Sequence, residues 1–144
     1  MKITSRSLED TEKIAADFVK KLSLHAHAGA LIVGLYGDLG SGKTTFTQDV
    51  AEIFGIEENI TSPTYVIEKV YPIDHAKFKN LIHIDAYRLS SGKELLSLGW
   101  QNISSNPDNI ILVEWPERIA EILPENHVRI HFTFVSDMER EIEI

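Results

Sequence analysis

The residues Gly37-Asp38-Leu39-Gly40-Ser41-Gly42-Lys43-Thr44 carry the spacing Gly-x-x-x-x-Gly-Lys-Thr. Each residue type in it has a use. The glycines reach backbone dihedrals closed to other residues, so successive N–H groups turn inward onto an anion. A helix opening at the end of the loop adds a partial positive charge beneath that anion. The Lys43 ammonium then reaches β- and γ-phosphates, and the Thr44 hydroxyl binds Mg²⁺. The spacing therefore predicts a Walker A phosphate loop that binds ATP with Mg²⁺. Asp38, Leu39, Gly40, Ser41, Gly42, Lys43, Thr44 and Thr45 are the expected nucleotide contacts. Guanine is disfavoured as the base, because the chain has no Asn-Lys-x-Asp segment.

Such a loop needs a carboxylate across from it to hold the metal, at the end of a neighbouring buried strand. Glu114 ends the apolar run Ile110-Ile111-Leu112-Val113, and Asp85 ends Leu81-Ile82-His83-Ile84. The uniformly apolar run reads as an inner strand, whose C-terminal end faces the ligand side of an open α/β sheet. Glu114 is therefore the expected metal ligand with Thr44. Asp85 is the expected second acid near the γ-phosphate or attacking water, with a turn-capping role as its alternative. Thr64, in Ser62-Pro63-Thr64-Tyr65, can meet the γ-phosphate or Mg²⁺ as switch threonines do, with an ordinary loop-to-strand entry as the alternative that this motif taken alone favours. His83 reads as a packed or network histidine, and His25 and His27 lack a third ligand for a metal. Trp100 and Trp115 read as core residues, with a part in shaping the site as the alternative for Trp115 because it follows Glu114.

The elements that must carry these residues are legible as patterns. Ser7-Leu8-Glu9-Asp10 is a helix start, and Leu8, Thr11, Ala15, Phe18 and Leu22 extend an amphipathic helix over 7–24. Residues 31–36 read as a buried strand feeding the loop, and a helix follows over 43–54, closed by Gly55. Strands are expected over 65–71 and 81–85, joined as a hairpin. A short helix over 93–98 ends at Gly99, the inner strand covers 110–113, and a brief helix over 116–122 begins with proline. Segments 127–135 and 139–144 close the pattern as strands. The expected fold is α/β: one domain over 1–144, three layers, with a mixed, mainly parallel central sheet flanked by helices.

Composition narrows the function. The 144 residues suit one domain, and 43% hydrophobic with 25% charged residues is ordinary globular usage. The net charge of -8 argues against strong direct nucleic-acid binding. Without cysteine there is no disulfide, thiol chemistry or Cys-ligated zinc. The N-terminus shows no signal peptide, and no apolar run approaches the ~20 residues that span a bilayer, so a cytoplasmic protein is expected.

Four motifs in order, the phosphate loop through Phe46, Ser62-Pro63-Thr64-Tyr65, His83-Ile84-Asp85-Ala86-Tyr87-Arg88-Leu89 and Val113-Glu114-Trp115-Pro116-Glu117, resemble the TsaE (YjeE) family over nearly the whole chain. These are bacterial ATPases required for the threonylcarbamoyl modification of adenosine 37 in tRNA. The resemblance implies a P-loop ATPase acting with the TsaB–TsaD pair, in which TsaD performs the transfer. It implies Mg²⁺ at Thr44 and Glu114, catalytic roles for Asp85 and Lys43, and a nucleotide-sensitive Thr64. It also places Thr11 near the adenine, gives Trp115 a part in the nucleotide site, and matches Arg140 to a late basic position. The chain departs from the family where an acid tends to follow Leu-Gly; here Gly99 leads into Trp100-Gln101-Asn102. Two other classes share the loop: a small-molecule kinase, and a non-enzymatic nucleotide switch.

Overall fold

A computed structural model describes residues 1–22, 27–58, 60 and 67–144. The 65–66 start of the expected hairpin and the end of the expected first helix lie outside the described residues. Seven strands form one sheet: β1 (Lys2–Ser5), β2 (Leu31–Tyr36), β3 (Glu68–Pro72), β4 (Asn80–Asp85), β5 (Asn109–Glu114), β6 (Val128–Phe134) and β7 (Arg140–Glu143). Their spatial order is β1-β7-β6-β2-β5-β4-β3. The central pairings β6·β2, β2·β5 and β5·β4 are parallel. The outer pairings β1·β7, β7·β6 and β4·β3 are antiparallel. The sheet is thus mixed and parallel where it matters for the site.

The apolar runs of β2 and β5 are explained by burial on both faces. Leu31, Val33, Leu35, Leu81, Ile110 and Leu112 point to one side, with Phe18, Phe46 and Val50 of the helices α1 (Leu8–Lys20) and α2 (Lys43–Ile53). Ile32, Ile82, Ile84, Ile111 and Val113 point to the other, against Leu95 and Trp100 of α3 (Lys93–Ser97) and α4 (Trp100–Ser105). Phe46 ties the first layer together, 5.7 Å from the Phe18 ring and 5.4 Å from the Phe132 ring. Burying a side chain of this size contributes ~1.5–3 kcal/mol.

The start of α1 is a reciprocal cap. The Asp10 N–H donates to Ser7 Oγ at 3.1 Å, and the Arg6 N–H donates to the Asp10 carboxylate at 2.9 Å. Its buried face is Thr11, Ile14, Ala15 and Phe18. Leu8, expected on that face, is the first residue of the helix and is 70% exposed. α1 also stops at Lys20, short of the expected length.

Two elements were not expected. β1 is four residues long, with Ile3 as its one apolar residue, and it pairs with β7, from the far end of the chain. α4 resumes after Gly99, whose φ of 89° turns the chain between two short helices. No helix among the described residues is long and apolar enough to cross a membrane.

Candidate active site

The phosphate loop connects the C-terminal end of β2 to the N-terminus of α2. Its glycines are required by geometry. Gly37 has φ 150°, and a Cβ there would lie 2.5 Å from the Phe132 carbonyl oxygen and 2.7 Å from Ser41 Oγ. Gly42, at φ 105°, is the cap residue of α2, and its Cβ would lie 2.7 Å from Arg140 Cδ. No side chain caps α2 and no acid sits in its first turn. The first-turn N–H groups of a helix have no intrahelical partner, so this terminus suits an anion. Ser41 Oγ is buried beside it without a hydrogen-bond partner. Asp38, Leu39 and Gly40 form the exposed tip of the loop, and Thr45 is half-buried behind it.

Lys43 is 5% exposed. Its ammonium donates to the Gly37 carbonyl and stands 3.6 Å from the centroid of the Trp115 ring. Burial pulls the Lys43 pKa down, opposed by the charges of Glu114, Glu117, Asp85 and Asp38 around it. The cation is folded over its own loop, at the point where the loop's N–H groups and the strand-end carboxylates converge.

Period-two alternation sets the rest. His83 and Asp85 of β4, and Glu114 of β5, fall on the α1–α2 face of the sheet, in phase with Leu81, Ile110 and Leu112. Asp85 is in direct register with Glu114. The Thr44 hydroxyl donates to Glu114 Oε1 at 3.0 Å, across the gap between α2 and β5. His83 Nε2 donates to Glu114 Oε2 at 2.7 Å. Burial alone would raise the Glu114 pKa. The His83 hydrogen bond and charge, the Thr44 hydrogen bond and the Lys43 charge outweigh it and hold the carboxyl below its ordinary value. Asp85 accepts from the Tyr87 N–H at 3.0 Å, an Asx turn that orients the acid as well as the turn.

Trp115 has φ 59°, the one positive φ at a non-glycine residue among the described residues. This left-handed turn ends β5 and swings the indole back over Lys43. The Tyr87 ring packs on the indole at 5.1 Å, with the Arg118 guanidinium 5.7 Å from the Tyr87 centroid.

Thr11 and Arg140 reach the loop from the side. Thr11 Oγ1 shares a 2.7 Å hydrogen bond with Ser5 Oγ, and Ser5 is in register with Arg140, whose side chain lies on Gly42. Arg140 Nε is buried without a partner. The Thr11 hydroxyl is buried and bonded internally. Thr64, with the rest of Ser62-Pro63-Thr64-Tyr65, lies outside the described residues, as does His25. The expected residues Lys43, Thr44, Glu114, Asp85 and Trp115 are therefore brought to one place. The link from His83 to Glu114 was not foreseen, although its two-residue spacing from Asp85 already placed it on the same face.

A match to the family described as Threonylcarbamoyl adenosine biosynthesis protein TsaE extends over residues 5–142. The chain belongs to the TsaE family. It is 35% identical over 144 residues to the tRNA threonylcarbamoyladenosine biosynthesis protein TsaE of Treponema pallidum, covering 100% of this chain and 99% of that one. The Bacillus subtilis protein of the same name is 37% identical over 134 residues, covering 93% of this chain and 78% of that protein. Among solved structures, that of YdiB from Bacillus subtilis superposes with a TM-score of 0.69 at 34% identity, over 99% of this chain and 82% of that one. Membership assigns the chain to the biosynthesis of threonylcarbamoyladenosine in tRNA, and the α/β sheet architecture is that of the family.

Proposed function

We propose that the chain binds Mg-ATP at the 37–44 loop and hydrolyses it as the ATP-driven subunit of the tRNA-modifying assembly. In this reading it acts with TsaB and TsaD and does not transfer the threonylcarbamoyl group itself. The observation that carries it is the pairing of Thr44 with Glu114 at an uncapped helix N-terminus, with Lys43 beside both. A hydroxyl and a carboxylate 3.0 Å apart are hard oxygen donors suited to Mg²⁺, which keeps water in its remaining positions. When bound, the ion would neutralise charge between the β- and γ-phosphates.

The chain's own groups supply the rest. The α2 N–H groups and the loop amides bind the phosphates. Lys43 exchanges its contact with the Gly37 carbonyl for the β- and γ-oxygens. Asp85, beside Glu114, orients the attacking water. Trp115 covers Lys43 and excludes bulk water, which strengthens each charge interaction. Thr64 is proposed as the residue that senses the γ-phosphate, and Thr11 as the residue near the adenine. Action inside the cell follows from the tRNA substrate of the pathway.

Phosphate release from ATP tests this reading, measured with and without TsaB and TsaD. Slow turnover should rise when both partners are added, and no binding to the pair with any nucleotide would overturn the reading. Asp85→Asn should cut turnover by roughly 100-fold while leaving ATP affinity within about threefold. Unchanged turnover in that variant, with partner binding intact, would favour the switch. Transfer of label to a metabolite pool would favour the kinase.

A further inference from the structure

His83 is a polar side chain near the loop that none of the nucleotide and metal contacts proposed above requires. It is 3% exposed, on β4 with β3 and β5 on either side. Its neighbours on the same face of the sheet are Leu81 and, in register, Leu112, both fully buried, with Lys69 in register on β3 and Asp85 two residues on. A polar ring at such a position must be hydrogen-bonded, and an aliphatic side chain would otherwise pack there at less cost. Its bond runs diagonally, from a residue in register with Leu112 to the carboxylate two positions further along β5.

Glu114 is equally buried, and its two oxygens are divided between two partners. Oε2 accepts from His83 Nε2 at 2.7 Å, and Oε1 accepts from Thr44 at 3.0 Å. A glutamate has three side-chain torsions, so a strand-end carboxylate without a second anchor would sample several orientations. With Oε2 held from the sheet side, Oε1 can point only toward the first turn of α2. The Nε2 hydrogen is donated whether the ring is neutral in that tautomer or charged, so the arrangement needs no change of protonation.

We infer that His83 is a positioning residue for the metal: its Nε2–H locks the Glu114 carboxylate so that Oε1 is presented, with the Thr44 hydroxyl, to Mg²⁺. This rests on the Mg-ATP reading of the loop. Partners that orient a metal ligand from behind typically change metal affinity by about 10–100-fold when removed.

The test is the Mg²⁺ dependence of ATP binding to the whole chain, followed by calorimetry at a series of Mg²⁺ concentrations and in EDTA. His83→Phe keeps ring volume but removes the donor, and should raise the Mg²⁺ concentration for half-maximal effect about 10–100-fold. Affinity for ATP in EDTA should stay within about threefold, since the phosphate contacts are untouched. His83→Gln restores a donor at about the reach of Nε2 and should return the Mg²⁺ requirement to near the wild-type value. His83→Asn, polar but one carbon shorter, should behave like the Phe variant, and it provides the comparison if that variant does not fold. An unchanged Mg²⁺ requirement in the Phe or Asn variant would overturn the inference. So would a Gln variant no better than Asn, or equal losses with and without Mg²⁺. If wild-type ATP affinity itself ignored Mg²⁺, the Mg-ATP reading would fall and this inference with it.

Discussion

Gly42 shows how one residue serves loop and neighbour together. Its φ of 105° is strained for any side chain, and the space a Cβ would fill is held by Arg140 Cδ at 2.7 Å and Nε at 2.9 Å. Gly42→Ala should therefore combine a left-handed backbone cost of ~1–2 kcal/mol with a steric one. Urea unfolding should show a loss of about 2 kcal/mol or more. Adding Arg140→Ala should recover the steric part only. If both variants unfolded like the parent, the loop geometry described above would be wrong. Glu114 makes the electrostatic case at the same scale. Its carboxyl is held below its ordinary pKa. The stability it contributes is therefore present above the ordinary carboxylate range and is lost as pH falls through the depressed value. The Gly-Lys-Thr spacing and the two strand-end acids were legible in the chain because residue types and spacing alone define them. The stacking of Lys43 on Trp115 was not, because it depends on a positive φ at a tryptophan, which sequence pattern disfavours.

At the scale of elements, α1 and α2 are joined by an acidic cluster that works against the fold. Carboxylate oxygens of Glu12, Asp49 and Glu52 lie within 4.8 Å of one another. Asp49 Oδ2 is buried without a partner. Burial, then the charges of Glu12 and Glu52, push the Asp49 pKa up to about 6. The folded state thus holds a proton that the unfolded chain has released, so this residue's contribution falls as pH rises from the ordinary carboxylate range to about 6, and is level above that. Asp49→Asn should stabilise the protein at pH 7.5 by ~1 kcal/mol, after discounting for solvent screening. Thermal unfolding should show a rise of about 3 °C that disappears near pH 4. A rise that persisted at low pH would point to packing instead. β2 and β5 were readable as inner strands because burial on both faces fills their centres, 31–35 and 110–113, with apolar residues or glycine and leaves polar groups only at their ends. β1 was not, since a four-residue segment with one apolar residue owes its strand to an edge more than a hundred residues away. α4 was hidden for a related reason: Gly99 looks like a helix end, and it is also a turn into the next helix.

The whole molecule gathers these parts at one end of a parallel core. β2, β4 and β5 run side by side in the same direction, so the loop, Asp85 and Glu114 emerge together at their C-terminal ends. The antiparallel edges β1–β7 and β3 widen the sheet and bring Arg140 to the side of the loop. Alternation of strand and helix conveyed a parallel core but not the order of its strands. The edges required pairings between distant segments, which local pattern does not encode. The net charge of -8 works against a direct grip on tRNA. All of this depends on the loop being an Mg-ATP site. Calorimetric titration of ATP into the whole chain, with Mg²⁺ and with EDTA, beside Lys43→Ala, tests that most directly. The wild-type chain should bind one ATP with Mg²⁺-dependent affinity, and Lys43→Ala should weaken binding by about 100-fold or more, the loss of ~3 kcal/mol of charge-assisted contact. Equal ATP affinity in Lys43→Ala, or wild-type binding indifferent to Mg²⁺, would contradict the account.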